Sequence, residues 1–184
     1  MRIFKTLLIV VILACIIHPG SYAQQIYRTL EGTMIISMQF NDTVLRASSH
    51  QLIVKLNYET GEIQFRIPYD SFRTGNDSID LNLMKLTDRW MEFNGKLGIP
   101  YINTKSHPQQ KFDATGTMLS AVPPTSVIAT GTIDHISSEG YIACVLNLTI
   151  QFSLSSLNIQ QAFYNASDLI QIDIQQSVLK RVND

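Results

Sequence analysis

The stretch that decides the fold runs from Ile142 to Phe152, IACVLNLTIQF. Every second residue in it is apolar, and the residues between them are small or polar apart from Val145. A period of two predicts a β-strand with one buried face and one face in water. Its residues would span roughly 36 Å at about 3.3 Å each. A strand of this length calls for a large antiparallel sheet.

Further strands are predicted on both sides of this one. The hairpin signal is clearest around Gly61, where a turn with glycine in the left-handed position joins two alternating runs. The final residues, 179–184, are polar overall and are expected to fray. Gly116 is expected to be a weak point or a bulge in its strand. The other predicted strands cover Thr33–Phe40, Leu52–Tyr58, Ile63–Ile67, Phe112–Leu119, Ser126–Asp134 and Leu169–Ile174.

The segment Tyr69–Tyr101 is more polar and less periodic than the rest. Asn76 can cap a short helix by accepting hydrogen bonds from free backbone N–H groups. Three interpretations stay open for the segment: a loop, a short helix or a short strand across an end or edge of the sheet. Trp90, the only tryptophan, is expected to plug the open end of the core.

Residues 1–23 have the layout of a secretory signal peptide. Two cations, Arg2 and Lys5, precede an apolar run, and small residues precede a cleavage site after Ala23. The run is too short for a bilayer core of about 30 Å, so no permanent transmembrane span is expected. The alternative is a lipid attached to Cys15. We expect one domain, residues 24–184, in the periplasm or secreted.

Charge and cysteine content limit the possible functions. Without residues 1–23 the chain carries 12 basic and 15 acidic residues and no basic block, so nucleic acid is an unsuitable partner. Cys144 is then the only cysteine, and its place on the apolar face predicts a buried thiol.

The sequence contains no recognisable catalytic or phosphate-binding motif. No nucleophile elbow, phosphate-binding loop or Cys–His pair occurs, and we expect neither enzymatic activity nor a cofactor. His50, His107 and His135 lack metal-binding spacing and are expected to lie on the surface or in loops. An active site assembled from residues distant in sequence stays open as an alternative.

The whole pattern predicts an all-β fold of about eight strands with a short helical or loop segment. Short strands at regular intervals fit either a β-sandwich or an up-and-down barrel. We favour a closed or nearly closed barrel, because long strands need long neighbours and closure removes exposed edges.

The order of these parts resembles the YceI-like family. A Ser71-Phe72 pair follows the hairpin, and a His107-Pro108 pair precedes the strand that contains Phe112. The chain departs from the family at 131–138, which lacks a proline, and around 95–103, which looks inserted. The resemblance covers most of residues 24–184. It implies an exported, antiparallel lipocalin-like β-barrel that holds an isoprenoid, fatty-acyl or other amphiphilic ligand inside.

Flexible or flat apolar side chains are the candidates for lining such a ligand tunnel. Ordinary core packing has the same composition, so both interpretations stay open. The alternative function is an exported structural or interaction module with a filled β-sandwich core, and its oligomeric state is undetermined. The candidate ligand-binding residues are Met34, Met38, Phe40, Phe65, Phe112, Leu148, Ile150 and Phe152.

Overall fold

The computed structural model describes residues 26–99, 108–138 and 141–182. The predicted signal peptide, Cys15 and His107 lie outside these residues. Among the described residues there are nine strands and one α-helix, α1 (Asp77–Met84). The strands are β1 (Ile26–Phe40), β2 (Thr43–Ser49), β3 (Ile53–Asn57), β4 (Glu62–Pro68), β5 (Trp90–Leu97), β6 (Gln110–Met118), β7 (Thr125–Ser138), β8 (Tyr141–Ser153) and β9 (Ala166–Arg181).

The sheet closes on itself as an antiparallel barrel. Each strand from β3 to β9 pairs with the next, and β9 pairs with β1. β2 and β3 share one position in the wall, because β2 pairs with the second half of β1 and β3 pairs with its first residues. The nine strands therefore make an eight-strand barrel, which confirms the predicted lipocalin-like fold.

β8 confirms the strand prediction from the opening stretch to within one residue at each end. Alternate residues Cys144, Leu146, Leu148 and Ile150 are at most 1% exposed, while Gln151 is exposed. Cys144 is a free, buried thiol, as predicted.

β9 contains a bulge that reverses which residues face inward. Leu148 pairs with Ile174 but Leu146 pairs with Ser177, so one extra residue is inserted in β9. Gln176 takes a positive φ of 47° there, and its N–H donates to the Asn147 side chain at 2.9 Å. Beyond the bulge Leu179 is fully buried. The prediction that residues 179–184 fray is therefore wrong for 179–181, which complete the strand.

Gly116 lies in regular register, opposite Gly95 on β5 and Val127 on β7, so the predicted bulge is wrong. A side chain is excluded there because an added Cβ would meet the Asn94 carbonyl oxygen and, at 2.5 Å, the Phe93 ring.

The end of the barrel where β1 ends and β9 begins, here called the capped end, is covered by two segments. α1 buries Ile79 and Leu83, and Asn76 caps it by accepting from two backbone N–H groups, as predicted. The second segment, residues 154–163, contacts α1 through its turn Gln160–Ala162 and buries Phe163. The middle of Tyr69–Tyr101 is thus a short helix followed by β5.

Trp90 does not plug the barrel. It is the first residue of β5, is 36% exposed, and points outward with the Arg66 guanidinium 5.0 Å from its ring centroid. Side chains alternate between the two faces of a strand. Met91 and Phe93 point inward in β5, so Trp90, which precedes Met91, points outward. In the described part of the chain, no helix is long and apolar enough to cross a bilayer.

Candidate functional site: the barrel interior

The structure places the eight predicted ligand-binding residues on the inner side of the wall. Seven of them are 0–6% exposed, and Phe40 is partly buried against the core at the capped end. β9 brings several together: Met34 and Leu148 pair with Ile174 from either side. Met38 and Phe152 likewise pair with Ile170. Phe65 and Phe112 belong to β4 and β6, in a different part of the wall. Whether these residues bind a ligand stays a prediction.

One part of the inner wall consists of very small residues. Gly95 and Gly116 are cross-strand partners, Ala114 pairs with Ala129, and Gly131 pairs with Phe112. These residues sit on three adjacent strands, β5, β6 and β7. We call this part of the inner wall the small-residue wall.

Two phenylalanine rings fill the space that the small-residue wall leaves. A Cβ added to Gly95 or to Gly116 would lie 2.5 Å from Cζ of Phe93. A Cβ added to Gly131 would lie 2.7 Å from Cζ of Phe112. The tips of the two rings therefore contact the backbone at these glycines. The Phe93 ring also stacks on Phe65 with centroids 5.0 Å apart.

Sequence reasoning identified Phe112 but missed Phe93 and the glycines. The signal that could have found them is the coincidence of glycine and alanine with inward positions on three neighbouring strands.

The interior is close-packed among the described residues. Side chains that lined a water-sized void would retain accessible area, yet those along β8 and β9 are almost fully buried. Four methionines contribute to this packing, and methionine adapts to irregular space more readily than branched residues do. They are Met34, Met38, Met91 and Met118.

Two grooves cross the wall, and each also touches inward-facing residues: Phe65 in the first, and Phe112, Gly131 and Leu148 in the second. One crosses β3 to β5 and is lined by Lys55, Arg66 and Glu92 among others. The other crosses β6 to β8 and is lined by several threonines and Asn147. Both are partly open to solvent, and polar and apolar surface contribute about equally to their linings.

The end of the barrel opposite the capped end, here called the polar end, contains buried polar side chains. The rings of Tyr27 and Tyr58 stack with centroids 4.1 Å apart, and the His135 ring centroid lies 6.3 Å from that of Tyr58. His135 pairs with Cys144 across β7 and β8. The expectation of a surface or loop histidine is therefore wrong for His135, whose ring nitrogens are buried.

Burial dominates the electrostatics of the polar end. Desolvation raises the pKa of Tyr27 and of Tyr58 above their ordinary value. It also raises the pKa of the Cys144 thiol to about 12, with a smaller opposing effect from the Tyr58 hydroxyl. These groups are neutral at physiological pH. The described residues contain no cluster of three or more His, Cys, Asp or Glu that could hold a metal ion.

No protein-family model and no curated protein matches the chain. Among solved structures, it is similar to a polyisoprenoid binding domain from Saccharophagus degradans implicated in plant cell wall breakdown, with a TM-score of 0.63 at 10% identity. The match covers 88% of this chain and 99% of that one. It is also similar to Burkholderia cenocepacia BcnA, with a TM-score of 0.51 at 12% identity, covering 82% and 96%. At these identities the comparisons establish a shared lipocalin-like barrel fold.

Proposed function

We propose that the chain is an exported, non-catalytic binding protein that holds a hydrophobic or amphiphilic ligand, an isoprenoid or another lipid, inside its barrel. The observation that carries this proposal is the small-residue wall covered by two phenylalanine rings. A ring that lies on glycine can turn away without breaking a backbone hydrogen bond. Its departure would expose a smooth apolar surface to a ligand chain.

The neighbouring methionines support the same function. Met118 is the cross-strand partner of Phe93, and Met91 lies two residues from it on the same inward face. Thioether side chains can repack around an inserted chain at low cost. A ligand could therefore enter a close-packed interior by displacing side chains while the strands stay in place.

Three further features support the proposal. The fold is shared with a domain described as polyisoprenoid binding. The order of sequence features resembles the YceI-like family, and we propose membership of that family. The layout of residues 1–23 supports export to the periplasm or beyond.

A second function, an exported structural or interaction module, is favoured by one observation. Residues such as Ile172, Leu146 and Phe93 have no accessible surface, as in a core that is permanently filled. The two functions differ in whether the interior opens.

Native mass spectrometry of the protein purified from its host, with organic extraction, separates them. A stoichiometric lipid of consistent mass supports the binding function. A bare protein that also takes up no fluorescent fatty acid or isoprenoid probe refutes it and supports the structural module.

A matched pair of variants locates the ligand. Ala129→Leu adds bulk to the small-residue wall, whereas Thr130→Leu places the same leucine side chain on the outer face of the same strand. Probe uptake should fall in the first variant and persist in the second, with folding checked by circular dichroism. Equal uptake by both would place the probe outside the barrel.

A further inference from the structure

Two tyrosines are buried at the polar end. Tyr27 is 0% and Tyr58 is 1% exposed, and both hydroxyl oxygens are buried. Neither has a hydrogen-bond partner among the nitrogen and oxygen atoms of the described residues. The Tyr58 hydroxyl interacts with the Cys144 thiol, which is a weak hydrogen-bonding group.

These hydroxyls are costly to the folded protein. A buried polar group without a good partner destabilises a protein by about 1–3 kcal/mol. Two such groups, on rings that stack at 4.1 Å, occupy one end of the interior beside the His135 ring. A third unpartnered hydroxyl, on Ser177, lies deeper in the barrel on β9 and is also fully buried. The Tyr69 hydroxyl at the capped end is buried in the same way, although the Ser120 side chain acts on it. Only at the polar end do two such hydroxyls lie on stacked rings, and this pairing points to a ligand atom that completes them.

The side chains at the polar end restrict the charge of the ligand's head group. Among the described residues, the buried polar side chains are Ser49, Asn57 and Ser177, and none of them is charged. Asn57 accepts hydrogen bonds in its own turn and Ser49 hydrogen-bonds with Ser71, so both side chains already have partners outside the interior. Arg181, the cross-strand partner of Tyr27, acts electrostatically on the Tyr27 hydroxyl but is only partly buried at the end of β9. An anionic head group placed among the buried tyrosines would therefore have no buried lysine or arginine beside it. Burying an unpaired charge is far more costly than burying a hydroxyl or carbonyl.

We propose that Tyr27 and Tyr58 donate hydrogen bonds to the uncharged head group, a carbonyl or hydroxyl oxygen, of a ligand whose apolar chain runs along the barrel toward the capped end. This inference rests on the proposed function and deepens it. The tyrosines orient the ligand, with its oxygen at the polar end. They also discriminate against phosphate and carboxylate head groups.

The interior has the length for such an arrangement. Cys144 lies beside the tyrosines, and Phe152 lies at the capped end of the same strand. Eight residues at about 3.3 Å each, on a strand tilted by about 40°, give a depth of roughly 20 Å. A long unbranched or isoprenoid chain fits that depth better than a compact ligand does.

The test compares three probes that share one chain and differ in head group: 1-hexadecanol, hexadecanoic acid and hexadecane. Each is titrated against N-phenyl-1-naphthylamine bound to the protein, and displacement is measured by fluorescence. We expect hexadecanol to bind most tightly. Tyr27→Phe and Tyr58→Phe should each weaken hexadecanol binding by about three- to ten-fold and leave hexadecane binding unchanged.

Tyr69→Phe is the matched control. Tyr69 is also a buried tyrosine, 1% exposed, but it follows β4 at the capped end. The Tyr69→Phe variant should bind all three probes with the affinity of the wild type. Loss of hexadecanol affinity in this variant would assign the effect to general repacking and overturn the proposal.

The outcomes separate this inference from the proposed function. If all three probes bind equally, or the acid binds more tightly than the alcohol, the head-group inference is overturned while the lipid-binding function stands. If the fluorophore and all three probes fail to bind, the lipid-binding function itself is overturned.

Discussion

Replacing Phe93 by alanine tests whether the small-residue wall depends on the ring that covers it. Phe93 is fully buried, stacks on Phe65 and contacts the backbone at Gly95 and Gly116. The glycines have no side chains with which to fill the space that the ring leaves. A large-to-small change at such a site loses transfer free energy and also leaves a cavity. We therefore expect the free energy of unfolding to fall by about 4 kcal/mol.

Urea denaturation measures this loss. With a slope of about 2 kcal/mol per molar urea, the midpoint should fall by about 2 M. The cavity would be lined by apolar groups, and dry apolar cavities bind small apolar molecules. Saturating benzene should therefore raise the midpoint of Phe93→Ala and leave that of the wild type unchanged.

Trp90→Ala is the control on the same strand. Trp90 is larger than Phe93 but points outward, where it is 36% exposed and contacts Arg66. We expect a loss of about 1 kcal/mol. A loss below 1 kcal/mol for Phe93→Ala, or equal losses for both variants, would refute the role given to Phe93.

Three further variants test the wall, the bulge and a turn. Gly116→Ala should destabilise by about 3 kcal/mol in urea denaturation, because its Cβ meets the Asn94 carbonyl oxygen; a neutral result would contradict the close approach. Asn147→Ala should cost about 1 kcal/mol in the same assay, since the Gln176 N–H loses its acceptor; an unchanged midpoint would show that the bulge forms without it. Hydrogen bonds, first from the Ser153 hydroxyl, lower the pKa of Asp168. The stability this gives is present at neutral pH and is lost as pH falls below about 4, so Asp168→Asn should lower the midpoint at pH 7 and have less effect at pH 3.

The alternation of apolar residues predicted the barrel well. β8, β4 and the turn at Gly61 follow directly from period-two patterns, because each strand has one face in the core and one in water. Asn76 was likewise predictable as a helix cap, since its side chain has a strong local preference. These features depend on short stretches of sequence.

The errors come from contacts between distant parts of the chain. The bulge at Gln176 depends on Asn147 in another strand, so the inward parity of Leu179 was not visible within β9 itself. Gly116 was predicted as a weak point or a bulge because a glycine inside a strand often marks one. The ring of Phe93, which requires glycine there, belongs to a different strand and was not visible from the local sequence.

The candidate site was predicted only in part, for the same reason. Inward parity identified residues such as Met34 and Leu148. The polar end joins Tyr27, Tyr58 and His135, which are far apart in sequence, and no local pattern brings them together. The match between a large inward ring and a glycine on the neighbouring strand can be recognised only when the register between the two strands is known.

The pairing of the first strand with the last has a consequence for how the protein is made. Phe40 pairs with Ala166, and Tyr27 pairs with Arg181, so the seam joins the two ends of the described chain. A ribosome adding about 10 residues per second needs more than ten seconds to make the stretch between them. Throughout that time β1 has one free edge, which is open to pairing with other chains. Newly made chains therefore carry this open edge until the final strand arrives.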